Sequence, residues 1–242
     1  MKKILCRRFT AVLRSILALA AVIGSVAASP IPAQAAAGET TSPTLTVILD
    51  PGHGGADGGA IGCNGEKEKN LNLSVALAIE KLLRERGINV IMTRSTDVHL
   101  CTEEQNAKGQ RKVNDLRNRL LVAEQNPGAI FVSIHMNSYS ASKYHGFQAY
   151  YTVNDNGESR QLAEAIQARV RADLQSDNNR QVKAAGENIY LLNHAVGTAV
   201  LLECGFLSNP EECSRLSEPE YREALSFSIV SAIMEYNNRT GV

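Results

Sequence analysis

An aliphatic run closes on a histidine at Thr46-Val47-Ile48-Leu49-Asp50-Pro51-Gly52-His53. A second run, Ile130-Phe131-Val132-Ser133-Ile134-His135, ends in the same way, and a third, Ala199-Val200-Leu201-Leu202-Glu203, ends on a carboxylate. Short apolar runs of this kind predict buried strands. In an open α/β sheet, the functional site lies beyond the carboxyl ends of the strands. We therefore expect His53, His135 and Glu203 to meet at one edge of a sheet.

Segments of strand and helix character alternate along the chain, which is the pattern of an α/β protein. We predict strands at 45–49, 89–93, 129–134, 146–153, 188–192 and 199–202. We predict helices at 71–86, 114–125 and 218–236, and a further helix from an apolar stripe at Leu162, Ile166 and Val170. The predicted fold class is α/β, with a single mixed sheet of about six strands flanked by helices.

The N-terminal segment has the composition of a targeting signal. Basic residues among the first eight positions precede an apolar stretch at 16–28, and Ala33-Gln34-Ala35 follows. This order predicts a secretory signal peptide at residues 1–35, cleaved after Ala35. An uncleaved anchor is the alternative, but the apolar stretch is shorter than the ~20 residues that a spanning helix needs. We expect no stable membrane span after cleavage.

Residues 36–43 then form a short leader, and residues 44–242 fit one domain with one core. The whole chain has 25 basic and 25 acidic residues, and the signal carries five basic residues and no acidic one. The exported protein is thus mildly acidic, which argues against nucleic acid as a partner.

The four cysteines that follow the signal are Cys63, Cys101, Cys204 and Cys213. They are too few and too unevenly spaced for a disulfide scaffold or a CxxC zinc site. One disulfide, such as Cys63–Cys101, and four free thiols are both compatible with the sequence. A nucleophilic role for Cys204 is disfavoured because it follows Glu203 in an extended run and should point to the opposite face.

Two imidazoles and two carboxylates have the composition of a catalytic zinc site with one base left over. His53, His135 and Glu203 follow apolar runs, and Glu68 opens the helix after the first run. Glu66 is an equally good donor on spacing alone. The glycine-rich loop at 52–60 lacks the spacing of a nucleotide-binding loop. The other histidines, His99, His145 and His194, are expected to be ordinary packed or exposed residues.

Two polar residues close to these histidines have two interpretations each. Asp50 and Asn137 are candidates to orient His53 and His135, because a ligating histidine usually donates its second N–H to an acceptor. Alternatively, Asp50 caps the turn after its strand. Ser208-Asn209-Pro210 predicts a loop that stops before a helix.

Five motifs occur in order over the whole domain. They are Asp50-Pro51-Gly52-His53-Gly54-Gly55, Glu68-Lys69-Asn70-Leu71-Asn72-Leu73, Thr93-Arg94, Ser133-Ile134-His135-Met136-Asn137 and Glu203-Cys204-Gly205-Phe206-Leu207-Ser208-Asn209. Together they resemble the zinc-dependent N-acetylmuramoyl-L-alanine amidases of the amidase 3 family. Residues 108–117 and the lack of an extra domain look most like the spore-cortex amidases of germination.

This resemblance implies a phosphorylase/hydrolase-like fold and a zinc amidase catalytic domain at 44–242. It implies one Zn²⁺ held by His53, Glu68 and His135, with Glu203 as the catalytic carboxylate. The expected reaction is hydrolysis of the amide between the lactyl group of N-acetylmuramic acid and L-alanine of peptidoglycan. The expected location is outside the cytoplasm, in the cell wall or spore cortex and intermembrane space, with an accessory protein as a possible activator. Arg119 matches a family arginine that either supports structure or contacts substrate.

Two other classes of function remain compatible with the residues. One is a zinc exopeptidase on a related α/β scaffold, although such enzymes usually need more metal carboxylates. The other is a wall-binding module without turnover, which should have lost Glu203 or a ligand.

Overall fold

The central sheet has six strands in the computed structural model, which describes residues 45–106 and 109–240. Their order across the sheet is β2-β1-β3-β6-β4-β5. The strands are β1 Thr46–Pro51, β2 Asn89–Met92, β3 Ile130–Asn137, β4 Gln148–Tyr151, β5 Lys183–Ala184 and β6 Ala199–Phe206. Strands β2, β1, β3 and β6 are mutually parallel, whereas β4 runs antiparallel to β6. The predicted single mixed sheet is confirmed.

Helices cover both faces of this sheet. They are α1 Glu68–Arg84, α2 Glu103–Asn106, α3 Arg111–Glu124, α4 Glu158–Leu174, α5 Tyr190–His194, α6 Pro210–Ser217 and α7 Pro219–Thr240. The side chains of β1 alternate between two cores. Val47 and Leu49 join the large core with α1, α4 and α7, whereas Ile48 joins a smaller core with α3 and α5. This alternation follows from the two-residue period of a strand.

The predicted inward faces of the helices are confirmed. Val75 and Ile79 of α1 are fully buried, and so are the stripe residues of α4. In α7 the fully buried residues include Leu225, Ile229 and Ile233. Helix α6 begins directly after Asn209, where the sequence predicts the end of a loop. The Asn209 side chain caps this helix, because it accepts hydrogen bonds from the backbone N–H groups of Glu211 and Glu212. Pro210 follows as the first helical residue, where its missing N–H costs nothing.

One predicted strand is wrong. The sequence predicts a separate strand at 188–192, but Tyr190–His194 forms helix α5, at whose end the N–H of Ala195 donates to the carbonyl of Leu191. Leu191 and Leu192 are both buried in the smaller core, so this short apolar run is consistent with either a helix or a strand. The sixth strand is instead β5, a two-residue edge strand that pairs with β4.

The predicted signal at 1–35 and leader at 36–43 lie outside the described residues. Within 45–106 and 109–240, none of the helices combines the length and apolar character required to cross a membrane.

Candidate metal centre

Three parallel strands carry the predicted site residues to one edge of the sheet. His53 lies two residues beyond β1, His135 lies near the end of β3, and Glu203 lies opposite His135 in the β3–β6 pairing. The N–H of Gly52 donates to the carbonyl of Ile134 at 2.9 Å, so β1 remains attached to β3 up to the residue before His53. Adjacent parallel strands therefore fix the spacing of the two imidazoles.

Glu68 is the first residue of α1, and its side chain lies beside the two histidines. Its Oε1 lies 3.2 Å from Nε2 of His53 and 3.0 Å from Nδ1 of His135. His53, Glu68 and His135 each offer one possible ligand atom for a metal, and these three atoms lie within 4.8 Å of one another. The structure thus brings His53, Glu68 and His135 together in a group that could hold one metal ion.

Glycine is required at two positions around this group. A β-carbon at Gly52 would stand 2.2 Å from the His135 ring, which no packed atoms tolerate. Gly59 adopts a φ of 66°, and a β-carbon there would lie 2.5 Å from Oε2 of Glu68. The glycine-rich loop therefore permits close approach of its backbone to the three side chains.

Backbone hydrogen bonds hold the Glu68 carboxylate in place. Oε2 accepts from the N–H of Ala60 at 2.8 Å, and Oε1 accepts from the N–H of Met136 at 3.1 Å. Burial opposes the charged form, but the hydrogen bonds and charges of His135 and His53 outweigh it and hold the pKa of Glu68 far below its ordinary value. Glu68 is thus ionised and preorganised. Glu66, its rival on spacing, lies just before α1 and instead accepts a hydrogen bond from the Asn70 side chain at 3.0 Å.

Asp57 is the residue that orients His53, and the sequence interpretation missed it. Its Oδ2 lies 3.0 Å from Nδ1 of His53. Burial lowers the pKa of His53, but the interactions with Glu68 and Asp57 outweigh it, so the pKa of the imidazole is raised. Asp57 follows His53 by four residues in the glycine-rich loop, and this spacing is the sequence signal for the contact between the two side chains.

Asp50 has a different role from the one proposed for it as a histidine partner. It is fully buried and accepts from Thr93, Ser133 and Arg119, each at 2.7 Å. Arg119 in turn donates to the carbonyl of His53 at 2.7 Å. Asp50 therefore supports the loop through Arg119, which is itself buried and also lines the cavity beside the two histidines.

Asn137 also differs from its proposed role. The Nδ1 atom of His135 faces Glu68, and within the described residues no hydrogen bond joins the Asn137 side chain to the His135 ring. The carbonyl of Asn137 accepts from the N–H of Leu207, at a point where the β3–β6 register shifts. Asn137 thus contributes to the strand edge.

Glu203 lines the same cavity as the two histidines, with a volume of about 270 Å³. Its Oε2 is buried and has no hydrogen-bond partner among the described residues. Burial raises the pKa of Glu203 to about 7, because it outweighs the charges of His135 and His53, which lower this pKa, and the charge of Glu68 adds to the increase. Lys112 and residues 188–191, part of the segment that the sequence predicts as a strand, also line this cavity.

The remaining histidines and cysteines lie outside this group. The Nδ1 atom of His194 lies 2.9 Å from the carbonyl of Tyr190, and its ring stacks on that tyrosine. In the structure Cys63 and Cys101 are not bonded to each other, and both thiols are free. Cys204 is fully buried, and burial strongly raises the pKa of its thiol, which is unsuited to a nucleophile.

The sheet edge and its side chains define an α/β protein with a three-residue group able to hold a metal ion and a fourth carboxylate in the same cavity. The family model of the N-acetylmuramoyl-L-alanine amidases (Amidase_3) matches residues 47–235. The chain belongs to this family of enzymes.

Named relatives agree with this membership. The chain is 35% identical over 195 residues to the germination-specific N-acetylmuramoyl-L-alanine amidase of Bacillus subtilis, a match that covers 81% of each chain. Its fold resembles the CwlD amidase from Clostridioides difficile, solved in complex with the GerS lipoprotein, with 37% identity, a TM-score of 0.77, and coverage of 81% of this chain and 100% of that one. The catalytic domain of CwlV from Bacillus (Paenibacillus) polymyxa is 29% identical, with a TM-score of 0.67 over 81% of this chain and 99% of that one. The expected likeness to germination amidases is confirmed.

Proposed function

We propose that this protein is a zinc-dependent amidase that cleaves the bond between the lactyl carbonyl of N-acetylmuramic acid and the amino group of L-alanine in peptidoglycan. His53, Glu68 and His135 hold one Zn²⁺, and Glu203 moves the proton. The observation that carries this proposal is the convergence of three donor atoms within 4.8 Å, beside a carboxylate oxygen without a partner.

The donor set suits zinc. Two imidazole nitrogens and one carboxylate oxygen form a common ligand set of catalytic zinc sites, which keep a further position open. When bound there, zinc would polarise the scissile carbonyl and lower the pKa of water. Asp57 keeps the His53 ring oriented, because its carboxylate faces Nδ1 and leaves Nε2 directed at Glu68.

Hydrolysis of an amide requires a proton on the departing amine as well as a polarised carbonyl group, and Glu203 supplies this proton. Its Oε2 has no competing hydrogen bond among the described residues and is therefore free to accept a proton from the attacking water. In the metal-free fold, burial raises the pKa of Glu203 to about 7, which suits a carboxyl group that must accept that proton and then donate it to the leaving nitrogen. Such proton transfer typically contributes ~10²–10⁴ to the rate.

The biological setting is also part of the proposal. The similarity to a germination-specific amidase supports peptidoglycan of the spore cortex as the substrate. We propose that residues 1–35 direct export and are removed, and that residues 44–242 act as the catalytic domain outside the cytoplasm. The complex of CwlD with a lipoprotein supports an accessory protein that assists zinc loading or placement here.

The test of the reaction is mass spectrometry of muropeptides after incubation of the full chain with cortex peptidoglycan and zinc. We expect release of stem peptides with a free L-alanine amino terminus, and loss of this product in Glu203→Gln. Removal of single terminal residues from the stem peptide would favour an exopeptidase instead. Zinc binding without any product from the wild type, with and without the accessory protein, would contradict the proposed activity.

The test of the ligands is the zinc content of purified variants after dialysis. Glu68→Gln should lose zinc, because an amide oxygen is a much weaker ligand than an ionised carboxylate. Glu66→Gln is the matched control, since Glu66 lies two residues before Glu68 and outside the group of three ligands. Equal zinc contents in the two variants would remove Glu68 from the ligand set.

A further inference from the structure

Two cysteines that lie far apart in sequence meet beside the loop that leads to Glu68. Cys63 is exposed in this loop, and Cys213 is buried in α6. The Cys213 thiol lies close enough to Cys63 to raise the pKa of the Cys63 thiol. The Sγ of Cys213 also lies 3.3 Å from Oδ1 of Asn64, and a β-carbon at Gly62 would stand 2.8 Å from it. Residues 62–64 therefore surround the Cys213 sulfur.

The backbone around Cys63 is already attached to the region of α6. The N–H of Cys63 donates to the carbonyl of Leu207 at 3.3 Å, and the side chain of Asn64 donates to Ser217 at 2.7 Å. The approach of the two sulfurs is thus set by the fold.

We propose that Cys63 and Cys213 form an intramolecular disulfide in the exported protein. The inference rests on the proposed export, because disulfides form and persist in oxidising compartments outside the cytoplasm. The exposed Cys63 is the thiol that an oxidant reaches first.

The chemistry is two successive thiol–disulfide exchanges. Cys63, as its thiolate, attacks the disulfide of a thiol–disulfide oxidoreductase, and a mixed disulfide forms as one sulfur of the oxidoreductase leaves. Cys213, as its thiolate, then attacks the Cys63 sulfur and releases the second sulfur. Two S–H bonds are lost and one S–S bond forms, while the two electrons and two protons pass to the oxidoreductase, which leaves as a dithiol.

The bond would fix the loop that presents Glu68. Within this loop, the N–H of Gly62 donates to the carbonyl of Glu66 at 2.8 Å. At its two ends, the N–H of Ala60 donates to Oε2 of Glu68 at 2.8 Å, and the N–H of Glu68 donates to the carbonyl of Ala60 at 2.9 Å. A covalent bond between Cys63 and α6 would therefore limit opening of the loop.

The other two cysteines provide matched controls. Cys204 is fully buried and its thiol faces the carbonyl of Leu202. Cys101 is buried, and its thiol donates to the carbonyl of Thr102. Neither has a second thiol as a hydrogen-bond partner among the described residues.

The experiment compares the full chain secreted by a bacterial host with the same chain made in a reducing cytoplasm. Free thiols are alkylated under denaturing, non-reducing conditions, and the linked peptides are identified by mass spectrometry. We expect a peptide pair containing Cys63 and Cys213 in the secreted protein, and its absence from Cys63→Ser. Cys101→Ser should retain the pair. Reduction should lower the Tm of the secreted wild type by about 5–15 °C and should have no such effect on Cys63→Ser.

The outcomes separate this inference from the proposed function. Secreted protein that releases stem peptides but has both thiols alkylated would overturn the disulfide alone, and so would a link from Cys63 to Cys101. If the chain is not secreted, purified protein is incubated with oxidised glutathione, and failure to form the Cys63–Cys213 link there would also overturn it. Linked protein that releases no stem peptides would support the disulfide and contradict the amidase proposal.

Discussion

Asp50 and Glu203 are two carboxylates on parallel strands of one sheet, and their surroundings give them opposite properties. Asp50 is fully buried, and burial alone would raise its pKa. The charge of Arg119 and hydrogen bonds from Thr93, Ser133 and Arg119 outweigh burial and lower the pKa of Asp50. Burial also acts on Glu203, but there it prevails and raises the pKa to about 7.

Burial acts to raise the pKa of both carboxylates, so their charged and hydrogen-bonding partners, rather than burial, decide whether the pKa is lowered or raised. Asp50 has a guanidinium at 2.7 Å and cannot accept a proton near neutral pH. Glu203 has an oxygen without a hydrogen-bond partner among the described residues. The first carboxylate therefore stabilises the loop of His53, whereas the second is available for proton transfer.

The largest expected effect comes from removing the partner of Asp50. Arg119→Met should destabilise the fold by about 3–5 kcal/mol, because it leaves a buried charge unpaired. It also removes the donors to the carbonyls of Pro51 and His53. Chemical denaturation measures the change. Arg117→Met, an exposed position on the same helix, should change stability by less than about 0.5 kcal/mol. Similar stabilities for the two variants would refute the account of Asp50.

A smaller effect of opposite sign is expected at Glu203. Because its pKa is raised in the metal-free fold, the fold binds a proton more tightly than the unfolded chain does. The contribution of Glu203 to stability is therefore complete below its ordinary pKa of 4.5 and is lost as the pH rises through about 7. Glu203→Gln removes this loss, so it should stabilise the metal-free protein by about 1–3 kcal/mol at roughly pH 8 and by almost nothing at roughly pH 4.

Denaturation at the two pH values in the presence of a chelator measures this difference. Glu66→Gln is the control for loss of a carboxylate at a less buried position. If Glu203→Gln is destabilising at roughly pH 8, then the carboxylate has a favourable partner in solution and the contrast with Asp50 fails.

The smallest effect is expected at a third carboxylate, which is paired but half exposed. Asp57 contacts His53 at 3.0 Å, and its side chain is 45% exposed. Solvent weakens such a contact. Asp57→Asn should therefore weaken zinc binding by about tenfold, at the low end for residues that orient a ligand. Competition with a chromogenic chelator measures the affinity, and the exposed Asp177→Asn should leave it unchanged.

Much of the fold could be predicted because the signals are local. The aliphatic runs ending at His53, His135 and Glu203 predicted three strands that the structure contains. Residues 188–192 failed because a short apolar run has no distinct period, and the smaller core accepts Leu191 and Leu192 from a helix. Because residues 188–191 line the cavity, part of the cavity lining was also not predicted.

The sequence by itself determined which side chains stand at strand ends, because strand endings and apolar periods are read from adjacent residues. Only the tertiary structure decided which of them touch. It placed β6 beside β3, paired Asp57 rather than Asp50 with His53, and brought Cys213 to Cys63 rather than to Cys101. Some of these contacts join segments that are distant in sequence, and others lie within a loop of irregular backbone. Both kinds depend on how the helices and strands pack. No local pattern encodes that packing.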